Sequence, residues 1–169
     1  GVIVPTLVLT ALLAYGLSLL PRVLALPAPG GLVIVVTGEQ WWWRVRYMLP
    51  DGGAVELANE VRLPVGQRVE FRLASPDVIH AFWAPSLGGK MDAIPGRINR
   101  IALEPTRTGV FRGACAEYCG ASHARMAFHV VVTEQQEFDA WLRHQQRAAP
   151  SPAEPFLRRG QNAFLANGC

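Results

Sequence analysis

The stretch "CAEYCGASHARM" places two thiols, an imidazole and a thioether, those of Cys115, Cys119, His123 and Met126, at spacings of four, four and three residues. Thiolate and thioether are soft donors and imidazole suits copper and zinc, so the set selects those metals over magnesium or calcium. Cys119, His123 and Met126, joined by a distant histidine, make the ligand set of a one-copper electron-transfer site. His80, at a strand end before a turn, is placed to be that histidine. Cys115 is then in excess. One copper does not need two thiolates, two histidines and a thioether, whereas two coppers bridged by both sulfurs use all five. Zinc competes, because Cys115, Cys119, His123 and His80 could close a tetrahedral site, but zinc leaves Met126 without a role. Buried cysteines or a disulfide, with Met126 as core filler, explain each residue singly and the five together poorly. Copper is favoured, and two ions over one.

Such donors need stiff elements to hold them, and the flanking sequence supplies strand signals in succession. "LVIVVT" (Leu32–Thr37) is continuous and β-branched, and "WWWRVRYM" alternates from Trp43 to Tyr47. "PDGG" (Pro50–Gly53) is a turn before "AVEL". "RVEFRLA" (Arg68–Ala74) sets Val69, Phe71 and Leu73 on one face and Arg68, Glu70 and Arg72 on the other. "DVIHAFW" (Asp77–Trp83), "INRIALE", "VFRGA" and "MAFHVVVT" complete the series. Many short strands with turns between them predict an antiparallel sandwich or barrel. A helix follows in "TEQQEFDAWLRHQQR", with Thr133 as cap and Gln136 completing a capping box.

From Gly1 to Leu20 no side chain is charged, and about 20 apolar residues span a hydrocarbon core as a helix. A signal peptide would begin with basic residues, and a buried core helix would show a polar face; neither is present. A chain opening on Gly1 rather than Met is expected to continue upstream. The segments are a transmembrane helix at 1–22, a Pro/Gly linker at 23–31, the β domain at 32–133, a helix at 134–147, a Pro-rich linker at 148–155, and the opening of a further unit at 156–169. The net charge of +3 is carried by scattered arginines rather than a basic stripe with interleaved aromatics, so no nucleic-acid partner is expected. Three cysteines are an odd count and a poor disulfide framework.

Three segments, "CAEYCGASHARM", "SPDVIHAFWAPSLGGKMDAIPGRIN" (Ser75–Asn99) and "GEQWWW" (Gly38–Trp43), together with the apolar helix, resemble subunit II of the haem–copper cytochrome c oxidases, which carries the binuclear CuA centre. The resemblance covers residues 1 to about 147. It implies an all-β fold, a cupredoxin-like Greek-key β-barrel over 32–133, anchored by the N-terminal helix and followed by a short C-terminal helix. That barrel would stand on the periplasmic, outer face of a bacterial inner (plasma) membrane. By the same resemblance Cys115 and Cys119 bridge two coppers, His80 and Met126 complete one, and His123 with the backbone carbonyl of Glu117 completes the other. The Glu117 carboxylate is similar to the family's ligand to a magnesium ion shared with the catalytic subunit. Trp41 stands where the family admits electrons, and Trp42 occupies a position at which the family commonly has tyrosine. Asp77 resembles an acid of the docking face for cytochrome c, while Lys90 and Asp92 are placed to face the catalytic subunit and its haem propionates.

The tail "GQNAFLANGC" resembles the opening of a haem c domain, with Cys169 as the first cysteine of a C-x-x-C-H attachment signature. A fused cytochrome c on a Pro-rich tether would hold the donor at high effective concentration. Few acids accompany Asp77, and tethering makes an acidic docking patch less necessary. The implied function is a redox module that takes electrons from cytochrome c, tethered or free, and passes them to subunit I, which reduces oxygen to water among the other oxidase subunits. Two alternatives remain: the CuA module of a nitrous-oxide or nitric-oxide reductase, and a membrane-anchored copper carrier or assembly factor. The segment "WAPSLGGKMDAIPGR" and the N-terminal anchor favour the oxidase, and thiolates bridging inside a barrel loop favour retention over exchange.

Overall fold

The computed structural model describes residues 1–148 and 150–168. Helix α1 (Ile3–Leu24) contains a 19-residue stretch, Ile3–Pro21, of mean hydropathy 2.1 with no part of it buried. Two of its hydroxyls bond to carbonyls of its own segment, Thr6 Oγ1 donating to the Val2 carbonyl and Ser18 Oγ to that of Tyr15. A helix of this kind asks for an apolar solvent. At its exit Arg68 donates to the carbonyls of Ala25 and Val23, which ties the helix end to the β domain.

The β domain packs two five-stranded sheets. The first contains β1 (Val33–Glu39), β2 (Trp42–Met48), β3 (Ala54–Ala58), β5 (Val69–Ala74) and β8 (Asn99–Leu103), in the order β3-β2-β1-β5-β8. The second contains β4 (Glu60–Pro64), β6 (His80–Trp83), β7 (Met91–Ala93), β9 (Gly109–Cys115) and β10 (Ala127–Thr133), in the order β4-β10-β9-β6-β7. Alternation decides which face is buried: Ile34 and Val36 of β1, Trp43, Val45 and Tyr47 of β2, and Val69, Phe71 and Leu73 of β5 all point into the core. The expected turn is present at 50–53, where the Leu49 N–H donates to the Gly53 carbonyl (2.9 Å) and Gly52 takes φ +85°. At the other end of the β domain α2 (Gln135–Gln145) buries Phe138 and sets Trp141 edge-on to Tyr47 at 5.3 Å.

Several expectations are corrected. The pairing is mixed rather than wholly antiparallel, because β1 runs parallel to β5 and β4 parallel to β10. Strands β4 and β7 are not among the expected strands: β4 alternates polar and apolar residues but is short and ends at a proline, and β7 is three residues long. Thr133 does not cap α2: it ends β10 beside Pro64, its Oγ1 is buried without a partner, and Glu134 stands at the helix start. Glu70, expected on a wet face, is only 5% exposed. Arg72 and Arg100 each donate to its Oε1 at 2.8 Å, and these guanidiniums, Arg100 above all, hold its carboxyl below the usual range against the opposing effect of burial.

A third helix, α3 (Pro155–Ala166), buries no residue. Cys169, the expected haem attachment cysteine, lies outside the described residues.

Candidate metal centre

Three strand ends deliver the donors. His80 opens β6 and is fully buried; Cys115 closes β9; Met126 immediately precedes β10. The loop between β9 and β10 is pinned at both ends. Its first backbone N–H, that of Cys115, donates to the Met126 carbonyl at 2.9 Å, and the N–H of Ala116 donates to Ala81 in β6 at 2.9 Å. A 3-10 turn at His123–Arg125 brings the His123 ring back over the loop.

The result is a convergence of all five predicted donors. The Sγ atoms of Cys115 and Cys119 lie 3.8 Å apart. His80 Nδ1 is 3.9 Å from Cys115 Sγ, while His123 Nδ1 and Met126 Sδ are 3.5 and 3.7 Å from Cys119 Sγ. The Glu117 carbonyl faces inward, 3.1 Å from Cys115 Sγ, and its residue is otherwise exposed. Both cysteines are free and buried. A disulfide holds its sulfurs at about 2.05 Å. By contrast, 3.8 Å is the edge of a tetrahedron drawn with metal–sulfur bonds of about 2.3 Å. The donor set therefore fits a metal, and Met126 among the ligands suits copper rather than zinc. Without metal, burial pushes the Cys119 thiol up to about 11, and the neighbouring Cys115 adds to the shift. Loading the site must therefore release protons.

Supporting contacts orient the ligands. Asp77 Oδ1 lies 2.8 Å from His80 Nε2, while its Oδ2 accepts the Gln40 backbone N–H at 2.7 Å. Burial pushes the Asp77 carboxyl up, yet hydrogen bonds from His80, Val78, Gln40 and Ser75 outweigh it and hold it at about 2. An ionised carboxylate at Nε2 requires the proton there, which leaves the His80 Nδ1 lone pair facing the sulfurs. Asp77, an exposed residue, thus spends its carboxylate oxygens on the His80 ring and the Gln40 amide. Its spacing of three from His80 was a signal for this that sequence reasoning passed over.

Gly38 was also missed. A Cβ there would lie 2.8 Å from His80 Cδ2 and 2.9 Å from Cγ, so the imidazole rests directly on the β1 backbone. A glycine inside a strand pattern is the signal for such an approach. Gly38→Ala is expected to displace the imidazole, weakening copper retention roughly 10–100-fold and destabilising the domain by about 1–3 kcal/mol. Copper per chain after competition with a chelator, beside thermal unfolding, measures both; unchanged retention would show that the ring has room to move.

Trp41 lies just before β2, the strand that holds Trp42 and Trp43. Trp43 is fully buried, edge-on to His80, Phe82 and Phe128. Trp42 stacks under the Arg44 guanidinium at 4.7 Å. Trp41 is 37% exposed, and its Nε1 donates to the Cys119 carbonyl at 3.0 Å, so one residue touches both solvent and the ligand loop. Gln40 Nε2 donates to the same carbonyl at 2.8 Å. Lys90 Nζ donates to the Ala116 carbonyl at 3.4 Å, and Asp92 in β7 pairs with Ala81 of β6. Val78, Ile79 and Tyr118, beside the ligands in sequence, expose apolar surface.

A family model described as cytochrome c oxidase subunit II, periplasmic domain, matches residues 48–134. Cytochrome c oxidase subunit 2 of Alkalihalophilus pseudofirmus is 41% identical over 136 residues, covering 80% of this chain and 39% of the relative. The subunit 2 of Branchiostoma floridae is 36% identical over 157 residues, covering 82% of this chain and 68% of the relative. The solved periplasmic domain of subunit II of cytochrome oxidase from Bradyrhizobium japonicum superposes with a TM-score of 0.65 at 36% identity, covering 72% of this chain and 97% of that one. The chain thus spans well under half the length of the first of these relatives and nearly all of the solved domain.

Proposed function

The chain belongs to the cytochrome c oxidase subunit II family, and from that premise we propose that it is the redox module through which electrons reach a haem–copper catalytic subunit. The observation that carries the proposal is the convergence of two unbonded thiols 3.8 Å apart with two imidazoles, a thioether and the Glu117 carbonyl around them. Cys115 and Cys119 would bridge a copper pair, with His80 and Met126 on one ion and His123 with the Glu117 carbonyl on the other. Two coppers so held supply a one-electron couple whose charge change is shared between them.

The protein's own residues do the rest. Strand-end ligands and a loop pinned at both ends leave the donors little freedom to move between redox states. Trp41 offers an aromatic ring at the surface, hydrogen-bonded to a ligand's own carbonyl, and so admits electrons. Exposed Val78, Ile79 and Tyr118 give a donor cytochrome c, tethered or free, an apolar surface to dock on. The outward Glu117 carboxylate is available to a magnesium ion shared with subunit I, and Lys90 and Asp92 face that subunit. Helix α1 anchors the domain on the outer face of a bacterial plasma membrane, and residues from 156 onward begin a haem c domain.

The test is electron paramagnetic resonance of the oxidised protein with copper counted on the same sample. Two coppers per chain and a seven-line pattern are expected. One copper with four lines, or zinc and silence, would overturn the reading. Trp41→Phe is expected to leave that spectrum intact while slowing reduction by cytochrome c at least about tenfold, about 1.4 kcal/mol in barrier. Stopped-flow reduction at wild-type speed would take that role from Trp41.

A further inference from the structure

Gln40 contributes two amides to the metal centre from a position flanking it. Its backbone N–H reaches Asp77 Oδ2 at 2.7 Å, and its side-chain Nε2 reaches the Cys119 carbonyl at 2.8 Å. These contacts join residues 37 and 79 positions apart in the chain. A carbonyl oxygen has two lone pairs, and on Cys119 both are engaged, one by Gln40 and the other by Trp41 Nε1 at 3.0 Å. Room for this double contact comes from Gly120, at φ +114°. A Cβ there would lie 3.1 Å from Gln40 Nε2 and 3.3 Å from the Trp41 ring. Gln40 is largely exposed, and an exposed amide without a task would be left to water.

We propose that Gln40 is a positioning residue that clamps the Cys119 carbonyl and the Asp77 carboxylate to the segment bearing Trp41, thereby setting both the potential of the centre and the seating of Trp41 against it. The proposal rests on the copper reading above. A donor on the carbonyl of a ligating cysteine draws density from that ligand and favours the electron-rich, reduced state. Hydrogen bonds around a copper thiolate and outer partners of ligands are known levers on potential. Losing the donor therefore lowers the potential, and replacing it with a second acceptor lowers it further. The same loss leaves Trp41 as the lone partner of a carbonyl that is no longer held from the other side.

The experiment uses the full chain in detergent with two substitutions, Gln40→Glu, which places an acceptor against the Cys119 carbonyl, and Gln40→Met, which keeps the length without a donor. Copper is counted, the midpoint potential is titrated, and the Trp41 indole N–H is followed by nuclear magnetic resonance in the copper-free protein. Gln40→Glu is expected to shift the reduction equilibrium about tenfold towards the oxidised form, about 59 mV for a one-electron couple. Gln40→Met is expected to shift it less, in the same direction, and both variants are expected to move the indole resonance. An unchanged potential and an unchanged resonance in both variants would overturn the proposal. A wild-type chain that fails to take up two coppers sinks the copper reading instead, and the metal-free indole comparison then decides alone whether Gln40 seats Trp41.

Discussion

Replacing Cys119 with serine is expected to leave the barrel folded and to abolish the two-copper centre. Cys119 Sγ is the hub of the donor set, within 3.8 Å of Cys115 Sγ, 3.5 Å of His123 Nδ1 and 3.7 Å of Met126 Sδ. A serine hydroxyl is neutral at physiological pH and a hard donor, so it neither bridges as a thiolate does nor selects copper. Removing an outer partner of a metal ligand costs roughly 10–100-fold in affinity or activity, and removing a bridge should exceed that range. Copper should fall to one per chain or fewer, the seven-line signal should give way to four lines or none, and reduction by cytochrome c should be lost. Burying a hydroxyl in place of the thiol costs about 1–3 kcal/mol, so thermal unfolding should remain cooperative. A Cys119→Ser protein that keeps two coppers and its spectrum would show that this sulfur is no bridge.

The largest expected loss of stability comes from Gly113→Ala. A Cβ at Gly113 would sit 2.1, 2.3 and 2.5 Å from three ring atoms of Phe128, its neighbour in the β9–β10 register. That ring cannot simply give way. It stacks on Phe82 at 4.5 Å and 12°, and Trp43 meets it edge-on at 5.7 Å. Overpacking of this kind costs about 3 kcal/mol or more, a fall in Tm of roughly 10 °C or more for a domain of this size. Because Cys115 and Met126 flank the affected pair on β9 and β10, copper retention should fall with it. A Tm within about 2 °C of the parent, an effect well under 1 kcal/mol, would mean that the Phe128 ring finds another rotamer at little cost.

How much of this was legible from the chain depends on distance along it. Strands β2 and β5 alternate apolar and polar residues within a few positions, so their buried faces could be read directly, whereas β1 opens on a continuous apolar run whose buried face only pairing decides. Strand β4 alternates as well, Val61 and Leu63 standing between Glu60, Arg62 and Pro64, but the run is five residues long and ends at a proline, so only its pairing with β10 places it in a sheet. At Thr133 a local capping pattern competed with strand pairing, and the strand won because Thr133 lies beside Pro64 on β4. Four of the five side-chain donors were visible because they share one loop; His80 was expected at a strand end before a turn, and it stands at the opening end of β6. Asp77, three residues from His80, and Gly38, inside a strand pattern, left local signals, whereas Gln40 supports Cys119 from 79 positions away, where spacing carries none.

Parallel neighbours cannot be joined by a tight hairpin. Val33 lies beside Glu70, and Glu60 beside His129, so each sheet is sealed by a partner that arrives long after the strand it completes. The entropy of closing such stretches must be met before their contacts contribute, which makes this topology slow to form. The β9–β10 hairpin around the thiols is local and can zip early, but His80 joins it only through β6, and β10 gains its outer neighbour only when β4 docks. It follows that the β9–β10 loop alone does not complete the donor set, which exists only once β6 has paired with β9 and brought in His80. Full metal capture therefore waits on a pairing remote in the chain as well as on the loop that holds the sulfurs.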